Sequence, residues 1–227
     1  AYDASMSKYL ESSGVDIILV GDSLGQVIKG EKTTHGVTLD EIEYHTRCVK
    51  SGLKTSVLMI DLPKNSYDTK LKAYKNSYKF ISTSLADLIK IEIDTSNFDI
   101  AKYLIDKNIP LCAHIGLLPQ TIKSRSGFRK YGKSKNEAKQ LYDLAITLDN
   151  LGAKVILIEC LENSLAKKIS QNCSAPVIGI GSGSGIDGQV AVIYDLLGIS
   201  FNKIDAFYIN DRTVLDKQIT KFRKKLK

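Results

Sequence analysis

Residues 15–23 read V-D-I-I-L-V-G-D-S, and no other stretch constrains the chain as much. The apolar, β-branched run is too continuous for a strand with one face in water. It predicts a parallel strand, Asp16–Val20, covered on both faces. Gly21 turns the chain, and Asp22 and Ser23 stand where the strand exits. In α/β folds ligands bind at that end of the sheet. The pattern recurs along the chain. Thr55–Ile60 runs into Asp61, and Leu85–Glu92 carries Lys90 and Glu92. Pro110–His114 ends on a histidine, and Val155–Glu159 ends on a carboxylate. Val177–Ile180 enters a run in which every second residue from Gly179 to Gly185 is glycine.

Helical periodicity fills the intervals. It predicts helices over Ala4–Ser12, Thr38–Lys50, Thr69–Ser82, Phe98–Lys107, Asn136–Leu151, Leu165–Gln171, Gly188–Leu197 and Arg212–Lys227, with Asp205–Tyr208 as a last strand. Thr38-Leu39-Asp40-Glu41 is a capping box for the second of these helices, and Gly14, Gly52 and Gly152 stop three of them. The loop from Gly25 to Gly36, rich in Gly, Lys and Thr, is expected to be a mobile lid. A polar loop from Ser124 to Lys135 has Gly127 and Gly132 as hinges. Strands alternating with helices predict right-handed βαβ units and a parallel sheet. Seven strand–helix units follow the first helix, and a strand before Ala1 would make eight. The expected fold is therefore a (β/α)8 TIM barrel with its first strand truncated; a doubly wound open sheet is the rival. At 227 residues, 43% of them hydrophobic, the chain suits one domain spanning residues 1–227.

The formal charge of +7 raises nucleic acid as a partner. The lysines are dispersed, however, and the one dense run, Lys221–Lys227, lacks the groove-reading or aromatic-interleaved stripe that such binding needs. No apolar run reaches the ~18 residues of a membrane span, and no signal-peptide pattern is visible, so a cytoplasmic protein is expected. Cys48, Cys112, Cys160 and Cys173 show no C-x-x-C spacing and read as reduced thiols.

A buried strand has no need of charge at its end. One acidic exit residue could cap the following helix. Three carboxylates, a lysine and a histidine at successive strand ends would converge on one barrel mouth. Oxygen ligands without cysteine suit a hard cation, and Mg2+ takes one or two carboxylates with waters and substrate oxygens. Asp22, Asp61 and Glu92 are the candidates. Lys90 lies two residues from Glu92, on the same side of its strand, where its cation can offset developing negative charge. Glu159 can serve as a general base. His114 stays open between a hydrogen-bonded core residue and an active-site group. The glycine run lacks the dinucleotide-binding spacing; a tight turn letting backbone approach a neighbour is favoured over a phosphate cradle.

Together these residues carry a resemblance. Gly21-Asp22-Ser23-Leu24-Gly25, Thr38-Leu39-Asp40-Glu41 with Tyr44-His45-Thr46-Arg47, Asp61-Leu62-Pro63 and Lys90-Ile91-Glu92 resemble the ketopantoate hydroxymethyltransferase family. So do His114-Ile115-Gly116-Leu117 with Pro119-Gln120, Leu157-Ile158-Glu159-Cys160, and Gly179-Ile180-Gly181 through Asp187-Gly188-Gln189 with Asp195-Leu196-Leu197-Gly198. The likeness runs in order from Ala1 to about Gly198 and fades beyond Ser200. It implies a (β/α)8 barrel that moves a hydroxymethyl group from 5,10-methylenetetrahydrofolate to 3-methyl-2-oxobutanoate, giving 2-dehydropantoate for pantothenate biosynthesis. By motif position it makes Asp22, Asp61 and Glu92 the Mg2+ acids. Ser23, Asp22, Asp61 and Lys90 become ketoacid-binding groups, Glu159 the proton acceptor and His114 an active-site histidine. It also implies a homodecamer.

The chain departs from the family pattern at Lys64-Asn65 (usually Phe-Gly), at Ile93-Asp94 (usually Gly-Gly) and at Ile186 (usually Cys). None of these is a proposed catalytic position. The alternative enzymatic reading is an Mg2+-dependent 2-oxoacid lyase or mutase of the phosphoenolpyruvate mutase/isocitrate lyase type. That group commonly uses a loop cysteine, and no cysteine stands in an expected mobile loop here. A basic binding protein using the lysine-rich tail is the non-enzymatic alternative.

Overall fold

Period-2 alternation along buried strands sorts this chain into two apolar layers. A computed structural model describes residues 1–122, 128–201 and 213–225. It contains seven parallel strands paired strictly in sequence order: β1 (Ile17–Val20), β2 (Val57–Asp61), β3 (Leu88–Glu92), β4 (Leu111–Gly116), β5 (Val155–Glu159), β6 (Val177–Ile180) and β7 (Gly188–Gln189). A doubly wound sheet would break that order at a switch point; a sheet that curls as it grows keeps it. One set of alternate side chains (Ile18, Val20, Leu58, Ile60, Ile89, Ile91, Ala113, Ile115, Ile156 and Ile158) packs outward with the helices. The other set (Met59, Leu88, Cys112, Val155 and Leu157, with Ile17, Leu19, Ile178 and Val190 beside them) fills the concave interior. Both faces of the sheet are dry, which is why the strands read as continuous apolar runs.

Around the sheet lie α1 (Ala4–Ser12), α2 (Leu24–Val27), α3 (Leu39–Gly52), α4 (Lys70–Ser82), α5 (Phe98–Asp106), α6 (Lys135–Leu151), α7 (Asn163–Ser170), α8 (Ile193–Leu196) and α9 (Thr213–Lys225). The capping box forms: Thr38 Oγ1 accepts from Glu41 N, and Glu41 Oε2 accepts from Thr38 N. No helix among the described residues is long and apolar enough to cross a membrane.

Four expectations need correction or narrowing. Residues 188–197 are not one helix. Gly188 and Gln189 pair with β6, and only Ile193–Leu196 is helical; a two-residue strand is too short to show a period. The 25–36 loop is not a free lid. Lys29 Nζ contacts Glu31, Glu41 and the Gly36 carbonyl at 2.9–3.0 Å, and Thr34 and Val37 are buried; the charges that suggested mobility pin the segment. Gly52 does end α3, but for a packing reason given below. Gly127, the start of the 124–135 loop and the expected strand Asp205–Tyr208 lie outside the described residues. The glycine run is the tight turn favoured from the sequence: Gly181, Gly183 and Gly185 have positive φ, and a Cβ on Gly183 would come within 2.4 Å of Asn163 Oδ1.

Gly52 has no left-handed backbone to explain it. A Cβ there would lie 2.2 Å from Ala4 O and 2.3 Å from Ser7 Oγ, so its bare Cα is what lets α1 close on α3. The obstructing Ala4 carbonyl is backbone and cannot swing aside. Gly52→Ala is expected to cost about 1–3 kcal/mol and to lower Tm by roughly 3–10 °C. Calorimetry showing an unchanged melting curve would exclude this account of the contact.

Candidate active site

The interior set of alternate residues changes character at the carboxyl ends of the strands. Below lie Met59, Leu88, Cys112 and Leu157; one or two steps further along the same strands come Asp61, Lys90 and Glu92, His114 and Glu159. Register then fixes the neighbours. Asp61 pairs with Lys90, Glu92 with His114, and Gly116 with Glu159, so adjacent groups stand about one strand spacing, ~4.8 Å, apart. Asp22 joins from the turn after β1: its backbone N donates to Asp61 Oδ2 at 3.0 Å. Gly21 makes that approach possible, since even a bare Cβ there would sit 3.2 Å from Asp61 Oδ2. Every sequence-predicted site residue except Ser23 and Glu159 is buried, and those two are half-buried.

Lys90 Nζ lies 2.6 Å from Asp61 Oδ1. Burial works against the Lys90 ammonium, but the Asp61 and Asp22 carboxylates outweigh it and hold the amine protonated, its pKa raised. Burial, then the charge of Asp61, raises Asp22 from 3.8 to about 7. Glu92 is pushed well above the usual carboxylate range by burial and by Asp22. Burial raises Glu159 from 4.5 to about 8. His114 is held well below 6.5 by burial and by Lys90, which leaves the imidazole neutral near pH 7. Neither ring nitrogen makes an aligned hydrogen bond, although Glu159 Oε2 stands 3.2 Å from Nε2.

Four carboxyl groups thus face one ammonium. Asp61 Oδ1 has the Lys90 ion contact but no aligned hydrogen bond, leaving acceptor capacity beside the raised Asp22. An excess of buried oxygen anions with a spare acceptor fits a hard divalent cation. Among the described residues, however, no three His, Cys, Asp or Glu side chains group closely enough to hold a metal ion by themselves. The fit is therefore to a two-carboxylate site at Asp22 and Asp61. Both oxygens of Glu92 are instead within 3.0–3.1 Å of Gln120 N.

The sequence profile of the ketopantoate hydroxymethyltransferase family matches residues 1–227. A relative from Aliivibrio fischeri named 3-methyl-2-oxobutanoate hydroxymethyltransferase is 40% identical over 225 residues, covering 98% of this chain and 85% of its own. One of the same name from Buchnera aphidicola is 45% identical over 203 residues, 89% of this chain and 77% of its own.

The chain belongs to the ketopantoate hydroxymethyltransferase family.

The family match continues past Gly198, where the motif likeness ended, so the lysine-rich C-terminal segment is family sequence and not an added tail. Two solved structures that share the fold are remote in sequence. A phosphoenolpyruvate phosphomutase from Streptomyces platensis is 12% identical, with a TM-score of 0.65 over 87% of this chain and 76% of its own. A 2,3-dimethylmalate lyase is 13% identical, with a TM-score of 0.62 over 87% and 75%.

Against this family background, Gln120 and two tyrosines are site residues that the sequence reading did not assign a role. Gln120 is buried on the turn after β4. Its Nε2 donates to Asp22 Oδ2 at 2.9 Å and lies 3.1 Å from Leu62 O, and its Oε1 accepts from Tyr67 Oη at 2.7 Å. One residue thereby ties together Asp22 and the turn after β2 through its side chain and Glu92 through its backbone N. Tyr2 Oη lies 2.7 Å from Ser23 Oγ. Gln120 was legible as part of the Pro119-Gln120 motif, but its partners lie up to 98 positions away, beyond any periodicity.

Two outcomes are expected. On the two-carboxylate fit at Asp22 and Asp61, Gln120→Ala frees the Asp22 carboxylate and should lower Mg2+ affinity by about 10–100-fold, the usual scale for losing a partner of a metal ligand; isothermal titration with unchanged affinity would reject the link. The second concerns pH. Asp22 and Glu159 hold protons more tightly folded than unfolded, so the stability they contribute is complete below about pH 4 and is lost as pH rises through about 7 to 8. Metal-free protein should melt lower at pH 8.5 than at pH 6, and added Mg2+ should raise Tm more at pH 8.5. Melting temperatures that rise with pH in chelator would contradict the assignment.

Proposed function

We propose that this chain catalyses the hydroxymethyl transfer for which its family is named, taking the one-carbon unit from 5,10-methylenetetrahydrofolate and placing it on C3 of 3-methyl-2-oxobutanoate. One observation chiefly supports the division of labour: of the four clustered carboxyl groups, Glu159 alone is both partly open and free of hydrogen-bond donors. Glu92 is engaged by Gln120 N, Asp22 by Gln120 Nε2 and Asp61 by Asp22 N. No hydrogen-bond donor reaches the Glu159 carboxylate among the described residues, and 14% of its side chain is accessible.

Asp22 and Asp61 would hold Mg2+, with Glu92 acting on the site through Gln120. A bound divalent cation would supply electrophilic pull on the ketone and carboxylate oxygens of the ketoacid. Ser23, Asp22, Asp61 and Lys90 line the place where those oxygens would lie. Lys90 stays protonated and supplies fixed positive charge where the substrate becomes negative. Glu159, once ionised, takes the C3 proton; its burial makes it a stronger base than an exposed carboxylate. Neutral His114 packs against Glu159, offers no competing positive charge and holds its position. The C3 carbon then bonds to the one-carbon unit of the folate and water provides the hydroxyl oxygen, while both C–N bonds that held the unit break; tetrahydrofolate leaves with its two nitrogens carrying the proton taken from C3 and one from water. Dry Met59, Leu88 and Leu157 below the cluster keep bulk water from quenching the carbanion from beneath.

Glu159→Gln keeps size and polarity but removes the base. Exchange of the C3 proton into deuterated water, followed by NMR with Mg2+ present and folate absent, should fall by about 10²–10⁴-fold while the ketoacid still binds. In the unmutated protein the exchange rate should rise with pH through about 8 and level off above it, as Glu159 becomes fully ionised. Exchange in the Gln variant at the unmutated rate would assign the base elsewhere, and His114 would be the next group to test.

A further inference from the structure

A cleft of about 350 Å3 opens beside the carboxyl ends of β1 and β2. One wall is the pinned segment after α2, with His35 and Thr38. The other is the turn after β2, with Lys64 and Asn65, backed by Lys72 and Asn76 of α4. No Asp or Glu lines it. Lys72 is neutralised by Asp68 at 2.8 Å. Lys64 is half-buried: Nζ lies 3.5 Å from His35 Nδ1 and has no carboxylate partner among the described residues. His35 in turn reaches Pro119 O through Nε2 at 3.2 Å, on the same turn that presents Gln120 to Asp22 and Glu92. The cleft therefore carries an uncompensated cation and several neutral donors, and one shared turn joins it to the acidic cluster.

We propose that this cleft binds the glutamyl carboxylates of the folate co-substrate. The inference rests on the transfer reaction proposed above. Under that reaction the one-carbon end of a long, polyanionic molecule must come to the ketoacid near Glu159, and its carboxylate end must lie elsewhere. It cannot go inward, because the space beneath the cluster is filled by apolar side chains. Nor can it lie among Asp22, Asp61 and Glu92, where like charge opposes it. Lys64 is three residues from Asp61, so its Cα is at most about 10 Å from that of the acid; the cleft is close enough for one molecule to span both places. Lengthening the co-substrate by γ-linked glutamates adds negative charge to the end that faces Lys64.

The test compares the binding of tetrahydrofolate carrying one or three glutamates, by calorimetry, in the unmutated protein, Lys64→Glu and Lys64→Met. Unmutated protein should prefer the triglutamate. Lys64→Glu should weaken triglutamate binding roughly tenfold, a scale fitting reversal of one half-buried charge, weaken the monoglutamate less, and leave the affinity for 3-methyl-2-oxobutanoate unchanged, which also reports an intact fold. Lys64→Met should fall between. Equal triglutamate affinity in all three proteins overturns the cleft assignment while leaving the transfer reaction standing. Unmutated protein that binds the ketoacid but neither tetrahydrofolate overturns both.

Discussion

The ion pair between Lys90 and Asp61 is the contact on which the site depends. A lone buried carboxylate near neutral pH takes up a proton, and a lone buried ammonium loses one. Placed 2.6 Å from Asp61 on the adjacent strand, Lys90 keeps its proton, and removing either partner of such a pair costs about 3–5 kcal/mol. The pair is also insufficient. It offsets one carboxylate, and three more are buried around it. Burial first, and then that imbalance, raises Asp22 and Glu92, while burial raises Glu159; the imbalance creates the demand for a further positive charge. A site whose acids are satisfied only when a cation or a proton arrives is, electrostatically, a receptor for one.

The sheet makes this arrangement without special devices. Parallel strands in register place residues side by side at one spacing, and period 2 gives each strand a single interior column. In the columns of β2, β3, β4 and β5 apolar residues occupy the lower positions and ionisable ones the last. The dry lower layer anchors the curl; the upper layer carries the chemistry. Gly21 and Gly52 serve the same economy of space, one admitting Asp22 to Asp61 and the other admitting α1 to α3.

Strands and their polar ends were legible because both arise from local pattern: an apolar run needs burial, and a charge at its exit contradicts that need. All the strand-end acids, with Lys90 and His114, gather where that contradiction placed them. The parts that were not legible depend on distant partners. Gln120 acts through groups on three other segments. Lys29 pins its loop through Glu41, which the cap motif had already claimed. Two residues of β7 cannot display alternation, so helical propensity across 188–197 prevailed over the pairing that Gly188 and Gln189 make with Ile178 and Gly179. Fold class followed from periodicity, whereas the wiring of the site followed from side-chain contacts that periodicity does not encode.

The departures from the family pattern show which constraints the site imposes. Asn65 stands where glycine is usual, and its φ of 65° is left-handed; asparagine is among the few residues that tolerate that region, so the turn after Asp61 keeps its course while Lys64 brings a new charge beside it. Ile93 and Asp94 replace two glycines without positive φ. Ile93 is buried in the outer core and donates its N–H to His114 O, and Asp94 Oδ1 accepts from Ser96 N at 2.7 Å. Backbone there needs no glycine, because Ile93 packs into the outer core and Asp94 closes its own turn. Ile186 packs over Gly179, where a Cβ would meet it at 2.6 Å. Each change keeps the backbone path that aims the acids and alters only what flanks the mouth. These departures therefore leave the ion pair between Lys90 and Asp61, which organises the cluster, untouched.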